Sequence, residues 1–319
     1  MKLPSHIRAP EPRDRPRSTR RRRRLLYAGM AVAAAVAGAV SAFGLPLLGP
    51  EVIRDVVYGK GYVRADDGRG FELRDLTLDI YGPGNPGEKK PAAILVHGGS
   101  FEKGSKRKPE IVELARFLAQ NGYVCFAVDY RLESDDPPAP LLWKWTSISS
   151  TAHAAMVDVK AAVRFVRAEA DAYGVDPDRI ALIGESAGAI AAITAAYSDE
   201  DDYRQDGRRY PQPEDNHPDL SSRVQAYVHL WGGADHMLLS VDPGDPPTLI
   251  VHGAEDDRRF ASYGSSRRLR AMLKLRGVPH EFHAAEGEGH GVWNYRHRFR
   301  NLNRLILDFL NERLAPDQP

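Results

Sequence analysis

Five short apolar runs set the terms on which this chain folds. They are "AAILVHG" (92–98), "YVCFAVDY" (123–130), "RIALIGE" (179–185), "VQAYVHLWGG" (224–233) and "PTLIVHG" (247–253), each apolar on consecutive rather than alternate residues. A strand with one wet face alternates; a continuous run belongs to a strand buried on both faces, as in parallel sheets covered by helices. Between the runs lie segments with helical spacing. "PEIVELARFLAQNG" has Pro109 at its start and Gly122 just past its end, and 153–174, 187–197 and 265–277 are also apolar at helical intervals. "RDLTLDIY" (74–81) places Leu76, Leu78 and Ile80 at period two, and 280–287 reads as a last strand before a closing helix over 293–314. This alternation implies an α/β fold: right-handed βαβ units in a mostly parallel sheet with helices on both faces.

Two stretches, 133–149 and 198–220, are too long for simple connectors and read as insertions. A third interruption stands at the N-terminus. Residues 1–24 hold ten basic and two acidic residues, whereas the remainder holds 34 basic and 41 acidic. The bulk of the chain is therefore net acidic, which argues against a nucleic-acid partner. Arg20 to Arg24 form an unbroken cationic block, and Leu25 to Val40 follow without a charge. One reading is an export signal cleaved after Ala42, with Arg22-Arg23-Arg24-Leu25-Leu26 similar to a twin-arginine signal. The other is an uncleaved anchor, because Leu25 to Leu48 spans ~36 Å as a helix. Both place the rest of the chain beyond the cytoplasmic membrane, secreted in one case and anchored in the other. The chain thus divides into an N-terminal segment, 1–48, and a globular domain, 49–319. If the N-terminal segment stays uncleaved, membrane contact is confined to it. The single cysteine, Cys125, allows no intrachain disulfide and sits in an apolar run as a core residue.

Ligands of open parallel sheets bind outside the carboxyl ends of the strands. The residues that follow the predicted strands therefore matter most. After the first come His97-Gly98-Gly99-Ser100-Phe101; after the third, Ser186 between Gly184 and Gly188; after the fifth, "GAEDD"; after the last, "EGHG". A serine, an acid and a histidine thus fall at one sheet edge, with Ser186 first, an acid of "GAEDD" second and the histidine of "EGHG", His290, last. A serine hydroxyl is a weak nucleophile until an imidazole takes its proton, and that imidazole needs a buried acid to fix its tautomer. A sharp strand-to-helix turn exposes the serine. The oxyanion formed on attack needs amide donors, which the Ala187 amide and the Gly99 and Ser100 amides can supply.

With these motifs assembled, "LTLDIYGPG", "AAILVHGGSF", "VDYRL", "GESAG", "HGAEDD" and "EGEGHG" resemble the α/β-hydrolases, over residues 72–312. The resemblance is to the esterase branch near hormone-sensitive-lipase-like and feruloyl or acetyl esterases. It implies the α/β-hydrolase fold and a serine esterase with Ser186 as nucleophile, His290 as base and Asp256 as orienting acid. Gly99, Ser100 and Ala187 become the oxyanion donors, with no metal or cofactor and a small ester as substrate. Ser100 stands where the family has a third glycine, and "DDRRFAS" replaces the family's V-P, with Asp257 directly beside Asp256.

Other readings remain open. The same triad serves amide cleavage, as in arylformamidases and peptidases, or a lipase, or a fold relative that only binds. Phe101, Trp143 and Trp145 are candidate walls of a substrate pocket, and the two tryptophans equally suit a loop tucked down. His97 and His252 end strands and read as local hydrogen-bonding groups, and His283 is the reserve for His290. Asp129 and Asp158 read as structural carboxylates. Glu185 gives no role from sequence. Oligomeric state is not legible.

Overall fold

A computed structural model describes residues 49–139, 146–198 and 213–315. The N-terminal segment, residues 140–145 and residues 199–212 of the two insertions lie outside the described residues. Among the described residues ten strands and five α-helices follow in order: β1 (Val52–Arg64), β2 (Phe71–Tyr81), β3 (Lys90–Val96), α1 (Pro109–Gln120), β4 (Val124–Val128), α2 (Ser147–Ala168), β5 (Val175–Glu185), α3 (Ala187–Ala196), β6 (Ala226–Leu230), β7 (Thr248–Gly253), α4 (Tyr263–Arg276), β8 (His280–Ala285), β9 (Arg296–His297), β10 (Arg300–Asn301) and α5 (Leu302–Arg313). Eight strands form one sheet in the order β1-β2-β4-β3-β5-β6-β7-β8. β1 and β2 pair antiparallel, as do β2 and β4, and every pairing from β4 to β8 is parallel.

The continuous apolar runs have a direct structural cause. In β3, Ala92, Ile94 and Val96 join one core while Ala93 and Leu95 join the other. β4 divides likewise, with Val124, Phe126 and Val128 on one side and Cys125 and Ala127 on the other. Successive side chains point to opposite faces, and both faces are covered, so every position must be apolar. Val159 and Val163 of α2, Ile193 of α3 and Leu269 of α4 close the first core. Leu114 and Leu118 of α1 with Leu305 and Phe309 of α5 close the second. Burial also pushes the Cys125 thiol pKa up, so it stays protonated.

The largest departures from the sequence expectation are at three elements. β1 was not expected, because its alternation is broken by Gly59, Gly61, four charged residues and two register shifts against β2. The long helix starts at Ser147 rather than 153, where Thr146 accepts a hydrogen bond from the Ser149 amide, and it ends at Ala168. The closing helix starts at Leu302 rather than 293. Residues 296–301 form the small β9–β10 pair instead, and the Asn301 side chain caps α5 by accepting from the Arg304 amide. Part of the second insertion packs down: the Asn216 side chain bonds both the amide and the carbonyl of Lys60 in β1. Among the described residues no helix is long and apolar enough to cross a membrane.

β3 lies between β4 and β5, so the chain changes direction across the sheet there. The carboxyl ends of β3, β5, β7 and β8 then open onto one edge, and the loops that leave them carry the candidate residues.

Candidate active site

Ser186 occupies the single position between β5 and α3, with φ 54° and ψ −119°. A non-glycine residue at positive φ costs about 1–3 kcal/mol and persists only where its surroundings hold it. Here the Ser186 amide donates to the Leu230 carbonyl at 2.9 Å, and the Ser186 carbonyl accepts from the amides of Ala189 and Ile190. The flanking glycines permit the turn. A Cβ on Gly184 would meet Gly188 and Ala189 backbone, and one on Gly188 would fall on the Val96 and His97 carbonyl oxygens. α3 therefore rests its first turn directly on the end of β3.

His290 and Asp256 complete a hydrogen-bonded chain. His290 Nε2 lies 2.8 Å from Ser186 Oγ, and His290 Nδ1 lies 2.5 Å from Asp256 Oδ2. Asp256 cannot donate as a carboxylate, so Nδ1 carries the proton and Nε2 is left to accept from the serine hydroxyl. The Asp256 side chain is 1% exposed and that of His290 10%, so the acid is sealed while the base stays within reach of a ligand. The two loops are joined by the Glu255 amide, which donates to the Glu288 carbonyl at 2.9 Å. Asp257, adjacent in sequence, points to solvent.

Beside the serine, the loop after β3 runs through Gly99, Ser100 and Phe101, all at positive φ (129°, 61° and 64°). It is tied down by Glu102 and Lys103 amides on the Gly99 carbonyl and by the Glu133 amide on the Phe101 carbonyl. Among the described residues, the amides of Gly99, Ser100 and Ala187 donate to no protein acceptor. Ala187 is the first residue of α3, where an unpaired amide and the positive end of the helix dipole coincide. These donors can receive a negative oxygen formed next to Ser186 Oγ.

The loop is anchored by a residue whose role the sequence did not reveal. The Gly98 amide donates to Glu185 Oε1 at 2.5 Å, and Lys108 Nζ donates to the same oxygen at 2.6 Å. Trp231 Nε1 lies 3.3 Å from Oε2, and Trp231 packs edge-on against Trp293, over which Lys108 also sits. Glu185 thus joins the ends of β3, β5 and β6 to the segment that follows His290. Its three donors come from residues far apart in sequence, so no spacing could have disclosed them.

The remaining candidates are placed as follows. Phe101 is 3% exposed and its ring meets Tyr130 edge-on at 6.2 Å, so it backs the loop from inside rather than walling an open pocket. Trp143 and Trp145 lie outside the described residues. His97 stacks on Tyr130 at 4.4 Å, with burial lowering its pKa, and His283 packs against His297 with Glu281 at 3.4 Å, apart from the chain of three. Asp158 is buried in a paired contact with Arg131, and Asp129 holds Lys106. His252 contacts Asp256 directly, at 3.0 Å, which a strand-end histidine does not announce.

A family model described as BD-FAE matches residues 78–242, and the prolyl oligopeptidase family model matches residues 195–317. The chain is similar to esterase LipQ of Mycobacterium tuberculosis, 34% identical over 74% of this chain and 59% of the relative. It is also similar to para-nitrobenzyl esterase of Bacillus subtilis, 30% identical over 38% of this chain and 24% of the relative. The chain thus spans less than two thirds of the length of these curated relatives. Among solved structures, Thermogutta terrifontis esterase 2 phosphoramylated by tabun matches with a TM-score of 0.63 at 26% identity, covering 85% of this chain and 99% of that one. The propionate-bound form of that esterase matches with a TM-score of 0.61 at 25% identity, covering 85% and 97%.

Proposed function

The chain belongs to the BD-FAE family of the α/β-hydrolase superfamily, and from that membership and the geometry of its site we propose that it is a serine esterase cleaving carboxylic esters through an acyl-enzyme. The observation that carries this reading is the unbroken hydrogen-bonded chain from Ser186 Oγ through His290 to the buried Asp256. In the first half-reaction Ser186 Oγ attacks the ester carbonyl carbon while His290 Nε2 takes the hydroxyl proton. Asp256 holds the resulting imidazolium by its Nδ1–H. The carbonyl oxygen becomes an oxyanion facing the amides of Gly99, Ser100 and Ala187, each such donor contributing about 3 kcal/mol to the transition state. Collapse expels the alcohol, which receives the proton from His290. Water then repeats the sequence on the acyl-enzyme and releases the acid and the free serine.

The preferred substrates under this reading are esters of short carboxylic acids. The support is that the Thermogutta esterase was solved with propionate and with butyrate bound. The enzyme works outside the cytoplasmic membrane, a reading supported by the arginine block and the uncharged segment after it. The match of residues 195–317 to the prolyl oligopeptidase family favours a second reading, amide cleavage by the same three residues.

The test is hydrolysis of p-nitrophenyl esters from acetyl to dodecanoyl, with matched p-nitroanilides, by the protein and its Ser186→Ala variant. Ester turnover that falls at least about a thousandfold in the variant, with a short-chain optimum, is the expected result. Faster anilide than ester cleavage selects the amidase. Equal inertness of both proteins, with no labelling by a fluorophosphonate, refutes catalysis by Ser186.

A further inference from the structure

Asp256 Oδ2 is shared. It receives His290 Nδ1 at 2.5 Å and also His252 Nε2 at 3.0 Å. His252 is completely buried at the end of β7, four residues before the aspartate. Its Nε2 also lies 3.1 Å from the Ala261 carbonyl, so this nitrogen faces two acceptors and must carry a proton. The other ring nitrogen, Nδ1, lies 2.7 Å from Ser266 Oγ in α4. In the neutral ring Nδ1 is an acceptor, and the Ser266 hydroxyl donates to it. The contacts therefore settle one tautomer, and they extend the chain from Ser186 through His290, Asp256 and His252 to α4.

We propose that His252 is a positioning residue of the hydrolytic site, supplying, on the same oxygen as His290, the second N–H that holds Asp256 ionised and oriented toward His290. This rests on the esterase reading above and deepens it.

Three observations carry the assignment. The Asp256 side chain is 1% exposed, so water does not replace a missing donor, and a buried carboxylate needs several donors to remain charged. The carboxylate plane is fixed by two groups besides His290: His252 on Oδ2 and the Arg258 amide on Oδ1, the latter at a long 3.2 Å. The His252 ring is itself immobilised, by Ser266 at one end and by the Tyr263 ring packed against it at 6.1 Å. Removing the imidazole frees one torsion of Asp256 and, through it, the ring of His290.

The consequence for pH follows from which groups face His252. These are Asp256 and the Ala261 carbonyl from the loop after β7, His290 from the loop after β8, Tyr263 and Ser266 from α4, and His229 from β6. Burial lowers the pKa of His252 and pushes that of His229 down to about 3, so neither gains charge near neutrality. With one donor fewer on it, the Asp256 carboxylate is held less firmly against His290. The acid limb of kcat/KM then moves upward.

The experiment compares the wild-type protein, Ser186→Ala, His252→Leu, His252→Gln and Ser266→Ala on one ester over a range of pH, with Tm for each. Gln places an amide N–H the same number of bonds from Cα as the imidazole Nε2–H. His252→Leu is expected to lower kcat by about tenfold to a hundredfold with little change in KM, and to raise the acid limb. His252→Gln is expected to recover most of both. A His252→Leu protein with wild-type kcat and acid limb, whatever its Tm, overturns the proposal, as does a His252→Gln protein equally impaired. If His252→Leu does not fold, Ser266→Ala decides, since it removes only the hydroxyl that holds the His252 ring in place at Nδ1. An upward shift of its acid limb supports the role, and an unchanged profile overturns it. An inactive wild type is the separate failure of the esterase reading. In that event the low-field Nδ1–H resonance of His290 takes over as readout, expected to shift in His252→Leu and to stay near its wild-type position in His252→Gln. The same position in all three overturns the proposal.

Discussion

Replacing Lys108 by methionine isolates the interaction that secures the oxyanion loop. The Glu185 side chain is 3% exposed and its ammonium partner 30%, with Nζ 2.6 Å from Oε1. Removing one member of a buried ion pair costs about 3–5 kcal/mol, because the other charge stays buried without compensation. The partial exposure of Lys108 screens some of that interaction, so the lower end, about 3 kcal/mol, applies. The Gly98 amide and Trp231 Nε1 remain on the carboxylate and keep the loss from being larger. A second substitution sharpens the argument. Glu185→Gln removes the charge while keeping the oxygen that accepts from Gly98, so the double variant should be more stable than Lys108→Met alone. The recovery is about 1–2 kcal/mol rather than complete, because the new amide turns an N–H toward Trp231. Urea unfolding of the four proteins, read by tryptophan fluorescence and extrapolated to water, measures the cycle. A Lys108→Met protein within about 0.5 kcal/mol of wild type would refute the reasoning, as would a double variant whose loss is the sum of the single losses.

Two further outcomes are expected. Gly188→Ala places a methyl group on the Val96 and His97 carbonyls, and backbone rather than a flexible side chain must yield. Stability should fall by about 3 kcal/mol and ester turnover with it, and a Tm equal to wild type would show that α3 does not rest on β3 as described. His229 is fully buried, and burial lowers its pKa to about 3, against ~6.5 in the unfolded chain. Its neutral form is favoured by folding, so its contribution is complete above ~6.5 and is lost as pH falls from there toward about 3. From pH 7 to pH 5 this amounts to about 2 kcal/mol, and His229→Gln should flatten the dependence of unfolding free energy on pH by that amount. Parallel curves for the two proteins would remove His229 from the account.

Much of the fold was legible because burial on both faces leaves a local trace. Each of the parallel strands β3 to β7 appears as a continuous apolar run, since Ala92 to Val96 must satisfy two cores at once. β1 left no such trace. It is an edge strand with Gly59 and Gly61 in its middle, and only pairing with β2 makes it a strand. The start of α2 was misplaced because its first turns, "SISSTA", have weak helical character and depend on Thr146 as a cap. The segment from 293 to 301 has helix-compatible spacing, yet Trp293 is drawn to Trp231 and the chain turns before Asn301 starts α5.

What the sequence alone determined is the set of strand ends and the residues standing on them: Ser186 between its glycines, the glycine loop after His97, and the histidine of "EGHG". These are consequences of backbone periodicity and of turns that admit few residue types, and both act over a handful of neighbours. The family resemblance named Asp256 as the acid, but that it faces the interior while the adjacent Asp257 lies exposed needed the structure. So did Glu185 with Lys108 and Trp231, and His252 behind the aspartate. Those contacts join residues 98, 108, 185 and 231, and 252, 256, 266 and 290, which only the order of strands across the sheet brings together. A buried charge is held by whatever donors the fold places around it, and that placement is a property of the whole sheet.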